Sequence, residues 1–192
     1  RIAHKLGFDG WLEMKEAYLD EVIYLKNHFQ NIDPNYPFTN QDTMMDIAHK
    51  IVQLHIESTK DTASLLHHDS LQKAIQILRK AKVIKVFAIA NLNYAGEEFV
   101  FKLNRIHKTA YIHSVQDNQF QDAIMTTKDE CAICLSYSGE TPTLLKTAHF
   151  LKENQVPIIA ITSLGQNSLS DLADVSLHIS TREKSFSKIA GF

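Results

Sequence analysis

Three features of this 192-residue sequence predict an α/β fold: a doubly wound parallel sheet, three layers thick, with helices in front of it. The first is a change of period at residue 83, from apolar residues three to four apart to short apolar runs separated by helical stretches. The second is the regular alternation of five such runs with helices, which is the pattern of βαβ units. The third is the near-continuous apolar character of the runs, which says that helices cover both faces of the sheet.

Taken in order, residues 1–30 read as helical with a break at Gly7 and Gly10, around which Leu6, Phe8, Trp11, Leu12 and Met14 cluster. Ala17, Tyr18, Val22 and Leu25 then recur at a helical period. Phe8, Trp11 and Tyr18 are expected in a small-domain core rather than on a base-stacking platform. Residues 31–42 hold Pro34 and Pro37 and no apolar period, so a linker is expected there, with the domain boundary between 1–30 and the remainder. Thr39 and Asp42 have the spacing of a capping box. A long helix should follow, with Met44, Ile47, Ala48, Ile51 and Val52 as its apolar stripe. A second helix over 70–81 presents Leu71, Ala74, Ile75 and Leu78. Residues 43–82 are thus linker helices packing on a sheet domain at 83–192. Within that domain, strands are expected at 83–90, 109–113, 131–136, 156–162 and 175–179. Between them lie a helix carrying Phe99, Leu103 and Ile106, a helical stretch ending near residue 126, a helix at 141–154 and a helical turn at 168–173.

Composition narrows the function. Twenty basic against 22 acidic side chains leave a net charge of −2, which does not support a bulk-basic nucleic-acid binder but leaves room for a small basic patch. The longest apolar runs, VFAIA at 86–90 and IIAI at 158–161, fall far short of the ~20 residues of a membrane span. No secretory leader is read, and two cysteines make no disulfide framework, so a cytoplasmic setting is expected. Cys131 and Cys134 have C-x-x-C spacing, but on a strand they point to opposite faces and read as buried structural thiols. His67 and His68 diverge by ~100° on a helix and have no H-E-x-x-H partner, so they read as surface histidines. Neither a metal nor a cofactor is expected.

The sharpest chemical feature is SYSGET at 136–141, followed by Pro142, where a buried strand gives way to a helix. Thr141 suits the N-cap and Pro142 the first turn. The free amides and dipole of such a helix start favour an anion. Gly139 permits a close backbone approach, and Ser136, Ser138 and Thr141 add hydroxyls that can donate to phosphate oxygens. No P-loop lysine is present, so this is not a nucleotide triphosphate motif. The same residues also fit a well-capped turn with no ligand. The loop after the first strand, 88–98, is the other place where such a sheet meets a ligand. Asn91 and Asn93 there can hydrogen-bond a polyol or simply cap the next helix.

The run SYSGETPTLLKTAHFLKENQVPIIAITS (136–163) closely resembles the phosphosugar-binding signature of the sugar isomerase (SIS) domain. RIAHKLGFDGWLEMKEAYLDE (1–21) resembles the end of the helix-turn-helix domain of RpiR-type bacterial regulators. The resemblance implies a transcriptional regulator whose SIS domain senses a sugar phosphate, a strand order of 2-1-3-4-5, and a homodimer or homotetramer. It implies that the recognition helix ends with Arg1, His4 and Lys5, which approach DNA phosphates of an operator rather than base edges. For Lys5 a solvated helix face is an equal reading. It also implies further helices before Arg1 and a final SIS helix after KSFSKIAGF. One departure stands out. Where family members carry a G-x-G-x-S-like turn, this chain has Ala88, Ile89, Ala90, Asn91 and Leu92. That puts sugar contacts at Asn91 and Asn93 in question while leaving the 136–141 loop intact.

The leading expectation is therefore a DNA-binding regulator responsive to a sugar phosphate, with no catalytic residues. An aldose–ketose isomerase is the alternative; it needs a carboxylate base and a further acid or base for ring opening, and for these roles only Glu140, Glu183 and His113 present themselves. Arg182, Glu183, Lys184 and Lys188 read as a solvated loop in which Glu183 or Lys184 can touch a ligand. A third reading keeps the SIS fold for dimerisation alone.

Overall fold

The computed structural model describes residues 32–180 apart from Pro34, together with Ala3, Gly10–Leu12, Met14 and Lys15. Arg1, His4, Lys5, Phe8, Tyr18 and residues 182–188, for which the sequence raises expectations, lie outside the described residues. Trp11 is 66% exposed, so the expected core position is not where the structure places it; burial is a one-way rule, and single apolar side chains often remain at the surface. The chain forms two compact units, one reaching to Ser58 and one comprising Thr59–Thr181.

Helix α1, Met44–Ser64, starts one step later than the sequence suggests. Thr39 and Asp42 do interact, the Thr39 N–H donating to the Asp42 carboxylate at 2.7 Å, but they close a turn. The capping box is the next T-x-x-D: Asp46 N–H donates to Thr43 Oγ1 at 3.2 Å, and Thr43 N–H and Oγ1–H donate to Asp46 at 2.9 and 2.6 Å. Those donors hold the Asp46 carboxyl below its ordinary range. The stripe is also rotated. Met44 and Val52 are exposed, whereas Leu54, Ser58 and Asp61 are buried and Ile47 and Ile51 half-buried. The inward face therefore runs 47, 51, 54, 58 and 61, and its last two members are polar. Helix α2, His68–Lys80, buries Ala74 and half-buries Ile77 and Leu78, while Leu71 and Ile75 stay exposed.

Five strands follow: β1 Ile84–Ala88, β2 Ala110–Ile112, β3 Cys131–Leu135, β4 Ile158–Ser163 and β5 Val175–Ile179. They pair in parallel in the order β2-β1-β3-β4-β5, as the resemblance implied. The helices between them are α3 Leu92–Arg105, α4 Gln116–Met125, α5 Pro142–Glu153 and α6 Ser168–Leu172. One face of the sheet sends Ile84, Val86, Cys131, Ile133 and Ile159 against Ala74 of α2 and Leu103 of α3. The other sends Phe87, Ala132, Cys134, Ile158 and Ala160 against Ala123 of α4 and Leu144, Ala148 and Leu151 of α5. Three layers result, and the two cysteines of β3 face different helical ones. On α3 the buried side is Gly96, Val100 and Leu103; Phe99 and Ile106 lie at the surface.

Two amide side chains finish strands that lack a neighbour. Asn104 Oδ1 accepts from Ala110 N–H and its Nδ2 donates to Ala110 O, both at 3.0 Å, on the outer edge of β2. Gln119 does the same for the last residue of β1, accepting from Ala88 N–H at 3.0 Å and donating to Ala88 O at 2.8 Å. Lys85, on the otherwise apolar β1, is 9% exposed and meets Asp122 at 2.7 Å and Glu130 at 3.5 Å. A lysine so enclosed needs such partners.

Candidate functional site

In the order 2-1-3-4-5, β1 and β3 lie side by side while their following connections diverge, which opens a crevice at their carboxyl ends. Ala88 and Leu135 are register partners, so the two loops leave the sheet at the same level. The loop from β3 is Ser136–Thr141, and that from β1 is Ile89–Asn91.

The β3 loop is built from its own hydroxyls. Ser136 is 3% exposed, its Oγ accepts from Gly139 N–H at 3.2 Å, and it lies 3.0 Å from Thr141 Oγ1. Thr141 occupies the N-cap of α5 with Pro142 behind it, but its side chain makes no capping bond. Its hydroxyl faces Ser136 instead, so the expected capping role gives way to one inside the loop. Ser138 is exposed, and its Oγ accepts from Glu140 N–H at 3.2 Å, which leaves its own O–H free to donate outward. Gly139 takes φ +68°, a left-handed conformation.

What fixes Gly139 comes from the next loop, to which no local pattern around Gly139 points. A Cβ at 139 would sit 1.9 Å from Asn167 Oδ1. Asn167 is buried; its Oδ1 accepts from Ser170 N–H at 3.0 Å, and its Nδ2 donates to Thr162 Oγ1 at 3.2 Å and Gly165 O at 3.3 Å. Thr162 Oγ1 and Ser163 N–H both donate to Tyr137 O, at 3.2 and 2.8 Å. Leu169 N–H donates to Gly139 O at 3.0 Å. Glu140 completes the join, accepting from Ser168 N–H at 2.7 Å and Ser168 Oγ at 2.8 Å. Those donors, the backbone one first, hold its carboxyl below the ordinary value. Glu140 therefore acts as a strut between loops, with both oxygens engaged. The N-x-x-S spacing of Asn167 and Ser170 is a readable helix start; its contact with Gly139 is a tertiary fact.

The β1 loop is held from behind. Gln119 Nε2 also donates to Asn93 Oδ1 at 3.1 Å and His113 O at 2.6 Å. Asn93 is thus half-buried and tied to α4, while Asn91 is exposed and makes no capping bond. Ala90 lies at φ +56°, a conformation that favours glycine, at the place where the glycine-rich turn was missed in the sequence. Ser136, Gly139 and Thr141 are therefore brought together by direct bonds. Ser138 shares their loop, and the two asparagines stand on the neighbouring one.

Among the described residues no group of three or more histidine, cysteine or acidic side chains could hold a metal ion. His68 is exposed and pairs with Asp69. Burial pushes both cysteine thiols up to about 12, as expected of inert structural residues. His113 lies 3.8 Å from Asp122. No described helix is long and apolar enough to cross a membrane.

Comparison with known proteins follows the same lines. The family model of the SIS domain matches residues 77–192. An uncharacterised HTH-type transcriptional regulator of Caldanaerobacter subterraneus, TTE0211, is 25% identical over 186 residues, covering 97% of this chain and 64% of its own length. The HTH-type transcriptional regulator YbbH of Bacillus subtilis is 26% identical over 180 residues, covering 93% of this chain and 61% of its own. The present chain thus spans somewhat under two thirds of these relatives. Among solved structures, the NanR protein of Vibrio vulnificus complexed with ManNAc-6P superposes with a TM-score of 0.68 at 22% identity, over 71% of this chain and 52% of that one. The sugar isomerase domain of an RpiR transcription factor from Sphaerobacter thermophilus gives 0.69 at 15% identity, over 73% and 79%.

Proposed function

The chain belongs to the SIS domain family, with the make-up of an RpiR-type regulator, and from that premise we propose that it is the effector-sensing part of a DNA-binding transcriptional regulator. Its effector is a sugar phosphate, its setting the cytoplasm, and its working form a homodimer or homotetramer on operator DNA. Residues 83–192 are the sensing domain, 43–82 its linker helices, 31–42 a linker and 1–30 the end of the helix-turn-helix domain, with Arg1, His4 and Lys5 toward DNA phosphates.

One observation carries the reading: the neutral hydroxyl donors of the Ser136–Thr141 loop stand at the carboxyl end of the central strand on a backbone already locked, with the loop's one carboxylate, Glu140, held by Ser168. A phosphate dianion asks for several O–H and N–H donors that need no reorganisation. Ser138 offers its hydroxyl directly. Ser136 and Thr141 share one internal bond, which leaves one of their two protons to point outward. In this reading Asn91 and Asn93, on the other lip, serve the carbohydrate. Glu140 is occupied by Ser168, which supports sensing over catalysis, because a base needed to shuttle a proton between adjacent carbons would have to be released first. Ligand binding would shift the population of two dimer arrangements and so the spacing of the DNA-reading units.

Thermal unfolding in the presence of a panel of sugar phosphates that includes ManNAc-6P tests this. The expected result is a raised midpoint with at least one compound, abolished in Ser138→Ala, and changed operator affinity of the full-length protein with that compound. An unmoved midpoint throughout would favour a fold kept for dimerisation, and turnover of a phosphosugar would favour the isomerase.

A further inference from the structure

Helix α3 turns its outer face to solvent with large aromatic groups on it. Tyr94 is 75% and Phe101 62% exposed. They stand with Glu98 and Arg105 at spacings of four, three and four residues, which is one side of a helix. Glu97 and Lys102 flank this stripe, and both are exposed. Arg105 lies 5.9 Å from the Phe101 ring centroid, and Lys102 meets Glu98 at 2.6 Å. Acid at the front of a helix and base at its end suit the helix dipole. That rule gives no reason for two exposed aromatic rings on the same side, Tyr94 ahead of the acids and Phe101 between acids and bases; exposed aromatic rings are enriched at interfaces.

The charges say what covers it. The first half of the face is acidic and the second basic, so a partner of uniform charge meets repulsion at one end. A second α3 running antiparallel sets Glu97 and Glu98 against the partner's Lys102, and Tyr94 against the partner's Arg105. A parallel copy would set like on like. We propose that the Tyr94–Phe101 face of α3 is a two-fold interface between copies of this chain, formed by antiparallel α3 helices. A surface complementary to itself is what a closed dimer requires. The proposal rests on the self-association suggested above and not on the effector.

Charge-swap mixing tests it. One variant carries Glu97→Lys and Glu98→Lys, the other Lys102→Glu and Arg105→Glu, and sedimentation velocity is run on each alone and on the equimolar mixture at low salt. Each variant alone should dimerise at least about tenfold more weakly than the parent, because like charges now face each other. The mixture should recover a dimer. Phe101→Ser, which leaves the charges alone, should also weaken the parent dimer, and circular dichroism checks that each chain is folded. A parent dimer that tolerates all three changes overturns the face alone. A parent monomeric at all concentrations overturns the self-association as well.

Discussion

Replacing Gly139 by alanine puts a Cβ 1.9 Å from Asn167 Oδ1 in a backbone at φ +68°, so both the turn and the asparagine have to move. The left-handed backbone alone costs an ordinary residue about 1–3 kcal/mol, and each hydrogen bond lost at Asn167 adds about 1 kcal/mol. Gly139→Ala should therefore lower the unfolding free energy by about 3 kcal/mol in urea titrations. Ala90 is the converse case. It holds φ +56° with a Cβ, so Ala90→Gly should raise stability by about 0.5–1 kcal/mol in the same measurement. The sequence exposed both positions as exceptional: Gly139 within a hydroxyl-rich turn, Ala90 as an alanine where glycine was expected. It could not identify Asn167 as the side chain that fills the space beside Gly139, because 28 residues separate them and no local pattern joins them.

Between elements, the join of the β3–α5 and β4–α6 loops depends on a carboxylate. Glu140 has its folded-state value held below the ordinary 4.5 by hydrogen bonds from Ser168, so its ionised form favours the folded state. The contribution is complete above 4.5 and fades as pH falls through the lowered folded value. Asp42, Asp46, Glu98 and Asp129 are lowered too, by Lys50, Thr43, Lys102 and Lys82 respectively, and the parent loses stability in acid through them as well. The stability difference between the parent and Glu140→Gln, measured by urea midpoints, should thus be largest near neutrality and shrink in acid. A constant difference would show that the charge of Glu140 plays no part in the join. At this scale the sequence was a good guide to which elements exist, since each strand and helix of the sheet domain has its own apolar signature. The phase of α1 was hidden because Ser58 and Asp61 take inward positions that a hydrophobic stripe would not include. The surface places of Phe99 and Ile106 on and after α3 were hidden for the opposite reason.

For the molecule as a whole, the parallel sheet followed from alternation, and its strand order from the family signature at 136–163. Readings of the DNA-facing end rested on resemblance alone. The central strand carries one further consequence. Cys131 and Cys134 are wholly covered, on opposite sides of β3, and neither thiol ionises near neutral pH. An alkylating reagent can therefore reach them only when the sheet loses its helices, and the rate of modification becomes a clock for that event. Because each sulfur is covered by a different helical layer, the adducts also record how the layers part. If both coverings leave in one cooperative step, mass spectrometry should find native and doubly alkylated chains with little between them. An accumulating single adduct, mapped to one cysteine, would instead reveal which layer peels away first.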